Sequence, residues 1–114
     1  MVFCIYCVFT ILLEVILKKC HIMIISFACR DTEKLFYNNA VKRFHSFAKQ
    51  ARVKLKLLNS STTINELRSP PGNRLELLVG TRNHQHSIRI NNQWRLCFTW
   101  HDSNAYNVEI VYYH

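Results

Sequence analysis

Apolar residues repeat at helical spacing before residue 69 and at strand spacing after residue 73. One helical stripe contains Phe44, Phe47, Ala48, Ala51, Leu55 and Leu58. Such spacing is typical of a helix that buries one face against a core. The segment Ser69-Pro70-Pro71-Gly72-Asn73 fits neither helix nor strand and predicts a corner. We therefore expect helices first and a sheet afterwards, in one domain.

Four segments after the corner have the composition of strands and are separated by turn residues. They are 75–79, 87–90, 94–100 and 106–113, and Gly80 ends the first of them. In the third strand, one face carries the large side chains Trp94, Leu96, Phe98 and Trp100. In the fourth, one face carries Tyr106, Val108, Ile110 and Tyr112. The large side chains should cover the helical stripe, which leaves the other sheet face free.

The segment before the long helix predicts two short elements. Residues 24–27 have the β-branched and aromatic composition of a strand. Residues 31–36 suit a short helix, with Asp31 and Thr32 as candidate N-caps. The order of elements predicts an α+β fold in which two N-terminal helices pack on an antiparallel sheet.

The chain is strongly basic, with 15 Lys and Arg against 7 Asp and Glu, for a net charge of +8. A small domain with this excess typically faces nucleic acid or an anionic membrane surface. Four basic residues share one face of the long helix: Lys42, Lys49, Arg52 and Lys56. No acidic residue lies between Glu33 and Glu66 in the sequence. This face is either simply solvated or contacts nucleic acid.

Residues suited to phosphate chemistry fall on the free face of the predicted sheet. Arg89 and Arg95 point there by strand position, and Tyr113 and His114 end the last strand nearby. The planar guanidinium of arginine matches a phosphate with two parallel hydrogen bonds. Histidine titrates near neutral pH and is a common general acid or base. The alternatives are a surface arginine and a frayed terminus.

Metal and cofactor sites have weak support in the sequence. His84, His86 and His101 could share a face, but no Cys or carboxylate nearby completes a convincing zinc shell. Cys4-x-x-Cys7 has no second pair at zinc spacing, and the total of 5 cysteines does not fit a secreted disulfide scaffold. We expect no metal, no cofactor and a reducing cytoplasm.

Residues 1–22 differ from the rest of the chain. Residues 2–17 are almost wholly apolar, but the run is short for a membrane-spanning helix and contains Glu14. Three interpretations follow, namely translation that begins at Met23, a membrane anchor, or extra packed structure. The compact pattern that begins at Met23 favours the first, so we expect a domain over 23–114 and no membrane partner.

Three stretches of the chain together resemble the HigB toxins of the RelE/ParE superfamily, which belong to type II toxin–antitoxin systems. They are 67–76 (LRSPPGNRLE), 87–98 (SIRINNQWRLCF) and 105–114 (AYNVEIVYYH), with Gly80-x-Arg82 between the first two. The chain from Met23 also opens with the Met-Ile-x-Ser-Phe of the family. The resemblance therefore covers residues 23–114.

The resemblance implies a RelE-like fold, with two helices on a small curved antiparallel sheet. It also implies a plasmid maintenance toxin, an endoribonuclease that cuts mRNA on the translating ribosome without a metal or cofactor. The implied partners are a HigA-like antitoxin, mRNA and the ribosome. The basic helix face, with Arg82 and Arg89, would contact RNA through salt-sensitive electrostatics.

The resemblance also implies roles for four residues of the site. Arg95 matches the arginine that holds the scissile phosphate, and Tyr113 and His114 match the C-terminal pair that lines the active site. His114 is then the candidate proton-transfer group. Glu76 matches a position that holds histidine in some members and glutamate in others.

Two single positions and one segment depart from the family pattern. Many members have a lysine at the position of Val79 and an acid at the position of Tyr112. The usual Gly-Asp-Arg-Lys-Gly is replaced by residues 80–84, Gly-Thr-Arg-Asn-His. Loss of the lysine removes a phosphate partner. Two alternatives therefore stand beside the nuclease: a ParE-like gyrase inhibitor, and a degenerate toxin that binds antitoxin or ribosome without cutting RNA.

Overall fold

The elements of the chain form an α+β fold in a computed structural model that describes residues 23–82 and 84–113. Within the described residues, the α-helices are α1 (Arg30–Phe36) and α2 (Ala48–Ser60). The strands are β1 (Glu76–Leu77), β2 (Gln85–Arg89), β3 (Trp94–His101) and β4 (Asn104–Tyr112). Short 3₁₀ helices span Lys42–Phe47, Ile64–Arg68, Pro71–Asn73 and Gly80–Arg82. The sheet is antiparallel with the order β1-β2-β3-β4.

The predicted helical stripe forms the core together with one face of the sheet. Its members Phe44, Ala51, Leu55 and Leu58 are fully buried in one cluster with strand residues such as Leu96. Trp94 stacks on Phe47, with ring centroids 4.9 Å apart. The prediction that large strand residues cover the stripe is therefore confirmed.

The stripe does not lie on one continuous α-helix as predicted. Phe44 and Phe47 belong to the 3₁₀ helix Lys42–Phe47, and α2 begins only at Ala48. The break occurs at Phe47, whose φ of −128° and ψ of 20° lie outside the helical region. Both aromatic rings still reach the core, because residues three apart share a face of a 3₁₀ helix, and both rings contact Trp94.

The predicted N-cap residues of α1 have other positions. The helix begins at Arg30 with Cys29 as N-cap, so Asp31 and Thr32 lie inside its first turn. Thr32 is completely buried, and its Oγ1 accepts a hydrogen bond of 3.0 Å from the backbone N–H of Ile110. Thr32 therefore joins α1 to β4 instead of capping the helix.

A bulge in β4 changes which of its side chains share a face. Cys97 pairs with Glu109 and Thr99 pairs with Tyr106, so β4 has one residue more than β3 in this interval. The extra residue is accommodated at Asn107, which has φ 54°. Tyr106 consequently faces away from Val108, and the predicted common face of these two residues is wrong.

The predicted strand 24–27 is reduced to two isolated bridges parallel to β4. Ile24 pairs with Ala105 and Phe27 pairs with Val108. Between them, the backbone N–H of Asn107 donates to Ser26 Oγ at 2.9 Å. The bulge in β4 therefore interrupts the ladder and prevents a continuous strand.

Strand β1 is also shorter than the predicted 75–79. Leu78 N–H still donates to the carbonyl of Gln85 at 2.8 Å, but Gly80, at φ 81°, starts the turn Gly80–Arg82. The corner predicted over 69–73 contains the 3₁₀ helix Pro71–Asn73, so the prediction that this segment fits neither helix nor strand is wrong for its last three residues. No helix within 23–82 or 84–113 combines the length and the hydropathy that a membrane span requires. The predictions for residues 1–22 lie outside the described part of the chain.

Candidate functional site

A cleft of about 290 Å³ opens on the sheet face opposite the helices. It is bounded by the turn after β1 on one side and by the end of β4 on the other. Its lining combines two arginines with aliphatic, aromatic and small polar residues: Leu78, Val79, Thr81, Arg82, Arg95, Cys97, Val111, Tyr112 and Tyr113. The cleft is thus positive at two points and otherwise mostly apolar.

Arg95 is held in this cleft by contacts on several sides. Its side chain is only 12% exposed, and its Nη1 donates to Glu76 Oε2 at 2.8 Å. The same nitrogen lies 3.5 Å from Ser87 Oγ, and the guanidinium carbon lies 4.3 Å from the ring centroid of Tyr113. Arg95 therefore contacts two of the other predicted site residues, Glu76 and Tyr113.

The register of the sheet explains why Arg95 and Glu76 are in contact. Glu76 pairs with Ser87, Ser87 with Cys97, and Cys97 with Glu109, so these four residues form one row across the strands. Arg95 is two residues from Cys97 on the same face of β3 and reaches back along the row to Glu76. Cys97 is buried, and this burial raises the pKa of its thiol. A protonated thiol is a poor nucleophile.

Arg82 supplies the second positive charge of the cleft. It extends from the turn Gly80–Arg82, and its Nη1 donates to Gln85 Oε1 at 3.0 Å and to Glu109 Oε1 at 3.3 Å. The sequence predicts a general RNA contact for Arg82, whereas the structure places it in the same cleft as Arg95. The one sequence signal for this position is Glu109, which alternates with apolar residues in the last strand. An acidic residue there indicates a partner for a basic side chain such as Arg82 on the free face.

Val79 and Tyr112, the two single positions that depart from the family pattern, both line this cleft. Val79 stands at its rim with 86% of its surface exposed. Tyr112 packs edge-on against Trp94, with ring centroids 5.2 Å apart, and is 49% exposed. The predicted partner of Tyr113, His114, lies outside the described residues.

Sequence comparison over most of the chain identifies the family. A family model described as "RelE-like toxin of type II toxin-antitoxin system HigB" matches residues 17–114. The chain belongs to the HigB toxin family.

Two curated relatives are similar to part of this HigB-family chain. Toxin HigB-1 of Vibrio cholerae is 46% identical over 54 residues, which are 47% of this chain and 57% of that toxin. An "Uncharacterized protein" of Haemophilus influenzae is 44% identical over 55 residues, 48% of this chain and 54% of that protein. The matches thus span a little over half the length of these relatives.

The basic residues predicted on one helix face of this HigB-family chain have different environments. Lys42 belongs to the 3₁₀ helix before α2, and Lys49 and Lys56 are exposed on α2. Arg52 turns toward α1, where its Nε and Nη2 donate to the carbonyls of Leu35 and Asn39, both at 3.2 Å. Its guanidinium thus satisfies backbone groups at the end of α1.

Arg89 does not join Arg95 in the cleft, although their Cα atoms are partners across β2 and β3. Its Nε donates to the carbonyl of Asn91 at 3.2 Å, and its Nη2 donates to Asn92 Oδ1. The guanidinium is therefore held at the turn between the two strands. Strand pairing fixes the position of the Arg89 backbone, whereas the position of its guanidinium is set by the hydrogen bonds that it donates.

The three histidines weighed as metal ligands are not brought together. Among the described residues, no group of three or more His, Cys, Asp or Glu side chains could hold a metal ion. His86 stacks beside Phe98, with ring centroids 6.2 Å apart, and His101 lies 3.1 Å from Asp102. Burial, and to a lesser extent the charge of Arg68, lowers the pKa of His86.

Proposed function

We propose that this chain is the toxin of a type II toxin–antitoxin pair and a ribosome-dependent, metal-independent endoribonuclease that cuts mRNA in the cytoplasm. The observation that carries the proposal is the position of Arg95. Its guanidinium is fixed by Glu76 and Tyr113 at the floor of a cleft on the free sheet face. Family membership, from a match over residues 17–114, supports a toxin. We assign the toxin domain to residues 23–114, the range that the resemblance implies.

The proposed reaction needs no group from outside the RNA and the protein. The 2′-hydroxyl oxygen attacks the adjacent phosphorus and loses its proton. The bond from phosphorus to the 5′ oxygen breaks, and that oxygen gains a proton. Arg95 binds the phosphate and stabilises the negative charge that grows on its oxygens in the transition state. Since Arg95 is largely buried, little reorganisation is needed when the charge develops.

Glu76, Tyr113 and His114 complete the proposed site. Glu76 accepts a hydrogen bond from Arg95 and is 49% exposed, so its carboxylate is also open to a substrate hydroxyl. We assign it to hold Arg95 and to accept the proton of the 2′-hydroxyl. The ring of Tyr113 supports the guanidinium from one side. His114 is the proposed donor of the proton to the 5′ oxygen.

Arg82 is the proposed second ligand of the phosphate. It lines the same cleft as Arg95 and is 38% exposed, so it can turn from Glu109 toward an entering anion. Arg82 thus supplies a positive charge to a cleft in which the family's usual lysine is replaced by Val79. Its presence favours an active nuclease over the degenerate toxin.

Positive charge outside the cleft would guide the toxin to its proposed partners, mRNA and the ribosome. Lys42, Lys49 and Lys56 are exposed and suited to phosphate contact. The proposed antitoxin is a HigA-like protein. The non-cleaving alternative is favoured by one specific observation, the exposed apolar Val79 at the rim of the cleft.

The test is to map mRNA 5′ ends in cells after brief induction of the chain, of its Arg95→Ala variant, and of Arg30→Ala as a matched control. Arg30 is exposed at the start of α1, on an element that does not line the cleft. We expect new cuts within translated frames for the wild-type chain and Arg30→Ala, and a loss of at least about 100-fold for Arg95→Ala.

The other outcomes separate the alternatives. Equal cutting by Arg95→Ala and the wild type would refute the proposed site. Intact mRNA with arrested growth and damaged DNA would indicate a gyrase inhibitor. Intact mRNA with normal growth would indicate a toxin that only binds. Co-expression of a HigA-like antitoxin should restore growth if the toxin–antitoxin assignment is right.

A further inference from the structure

A second basic cleft, of about 310 Å³, lies between α2 and the turn from β2 to β3. Helix α2 contributes Gln50 and Lys54, the corner contributes Gly72, and the turn contributes Arg89, Asn91 and Asn92. The described residues that line it differ from those that line the cleft of Arg95. It is therefore a separate site on the surface.

Both cations of this cleft are fixed by neutral oxygen atoms. The ammonium of Lys54 donates to Asn73 Oδ1. Asn73 is itself completely buried, and its Nδ2 donates to the carbonyls of Leu67 at 3.1 Å and Ser69 at 3.2 Å. The buried amide cannot turn freely, so it holds the ammonium in a defined place.

Arg89 is fixed in a comparable way from the other wall. Its guanidinium donates to the carbonyl of Asn91 and to the side chain of Asn92. The charge distribution thus differs from that of the first cleft, where Arg95 is paired with Glu76 and Arg82 with Glu109.

The chemistry of this cleft matches an anion with several acceptor oxygens. Its described lining includes two cations and three side-chain amides but no carboxylate. Because neutral oxygen atoms hold both cations, no carboxylate of the described lining offsets their positive charge. The remaining N–H groups of Arg89 and the amides of Gln50 and Asn92 are donors suited to phosphate oxygens.

We propose that this cleft binds a phosphodiester group of RNA, at a nucleotide distinct from the one held by Arg95. The choice of RNA rests on the proposed function. Because Arg89 and Arg95 are Cα partners on neighbouring strands, their backbones are separated by about 5 Å. One RNA strand can therefore contact the turn between β2 and β3 and enter the cleft of Arg95.

Gly72 provides a test that leaves both cations and their partners in place. A Cβ at Gly72 would meet nothing within 4 Å, and its φ is not in the left-handed region. Gly72→Asp therefore adds a negative charge at the wall of the cleft without steric conflict. Gly72→Asn is the matched control, since it has the same shape and no charge.

The probe is a fluorescent 2′-O-methyl oligoribonucleotide, which lacks the attacking hydroxyl and cannot be cut by the proposed reaction. Its affinity for the full chain is measured by anisotropy over a series of salt concentrations. For Gly72→Asp we expect at least about 5-fold weaker binding at low salt and a slope of log K against log[salt] that is smaller by about 0.7. Gly72→Asn should bind the probe like the wild-type chain.

Lys54→Gln should reduce the slope by the same amount, and Lys54→Arg should restore it. Urea denaturation of each variant separates lost binding from lost folding. Equal binding by Gly72→Asp and Gly72→Asn, or no binding by the wild-type chain, would overturn the proposal. The amide resonances of Asn92 are also followed by NMR with inorganic phosphate and with the oligonucleotide. If phosphate perturbs them and the oligonucleotide does not, the cleft is a site for free anions and the proposal is overturned.

The affinity for the oligonucleotide does not depend on whether the chain cuts RNA. If Gly72→Asp loses affinity while the wild-type chain cuts no mRNA in cells, the RNA site stands and the proposed nuclease fails. If Arg95→Ala abolishes cutting while the two Gly72 variants bind RNA equally, the nuclease stands and this site fails.

Discussion

Arg52 provides a stringent test of the fold, because its sequence position suggested RNA contact and its hydrogen bonds indicate a structural role. Its guanidinium donates two hydrogen bonds of 3.2 Å, to the carbonyls of Leu35 and Asn39. These groups lie at and just beyond the end of α1, and the carbonyl of Leu35 also accepts a hydrogen bond of 3.0 Å from the N–H of Asn38, so the guanidinium is its second donor. The positive charge also interacts favourably with the negative end of the helix dipole.

The perturbation is Arg52→Met, which keeps most of the aliphatic stem and removes the guanidinium. The bond to Leu35 is partly buried and should contribute about 1.5 kcal/mol, whereas the bond to Asn39 is exposed and should contribute about 0.5 kcal/mol. The helix dipole adds about 0.5 kcal/mol. We therefore expect the free energy of unfolding to fall by about 2.5 kcal/mol.

The assay is urea denaturation followed by circular dichroism. With an m value of about 1.5 kcal/mol/M, the midpoint should fall by about 1.7 M urea. Lys49→Met and Lys56→Met are the controls, since both lysines are exposed on the same helix. Each should change the free energy of unfolding by no more than about 0.5 kcal/mol. If Arg52→Met unfolds at the same urea concentration as these controls, the proposed link between α2 and α1 is wrong.

Two further predictions concern buried polar groups. Thr32→Val should lower the free energy of unfolding in urea by about 1 to 3 kcal/mol, because the buried N–H of Ile110 loses its acceptor. Thr32→Ser keeps the hydroxyl and should lose less, and equal losses would contradict the role of this hydrogen bond. The folded-state pKa of His86 is lowered by burial, so the unfolded chain binds that proton more tightly and stability should be lost as pH falls below about 6.5. His86→Phe should flatten the dependence of the melting temperature on pH between about 7 and 5, and an unchanged slope would exclude His86 as its source.

The strand pattern of this chain was predictable wherever the ladder is regular. Along β3 the alternation of large and small residues correctly separated Leu96 and Phe98 from the free face. Along β4 the same rule failed at Tyr106, because Asn107 adopts a positive φ and adds a residue. Asparagine tolerates that conformation better than most residues, but hydrophobic alternation carries no information about it.

The candidate site was predictable at the level of a face and not of its contacts. Strand parity placed Arg95 opposite the helices, and the resemblance to HigB toxins indicated Glu76 and Tyr113. Which residues touch depends on the register of three strands, which is set by the turns and by the packing of the whole sheet. The catalytic roles of these residues remain predictions.

Long basic side chains were the least predictable part of the molecule. Arg52 and Lys49 have the same helical spacing and the same sign of charge, yet Arg52 is bound to the end of α1 and Lys49 is exposed. Arg89 and Arg95 are partners in the ladder, yet their guanidinium groups lie in different clefts. Four or more rotatable bonds allow such a side chain to follow acceptors that only the tertiary structure provides.

The ion pair between Arg95 and Glu76 also sets which anions the first cleft accepts. The carboxylate occupies Nη1 at 2.8 Å, and the backbone tethers it there at a high effective concentration. A guanidinium has five N–H donors, so a phosphate can bind its other nitrogen atoms while Glu76 stays in place. The fixed negative charge of Glu76 nevertheless repels a small anion from solution. A phosphate that belongs to a strand anchored elsewhere on the protein is itself tethered and withstands this repulsion better. The cleft is thereby selective for anions that arrive as part of a larger bound molecule.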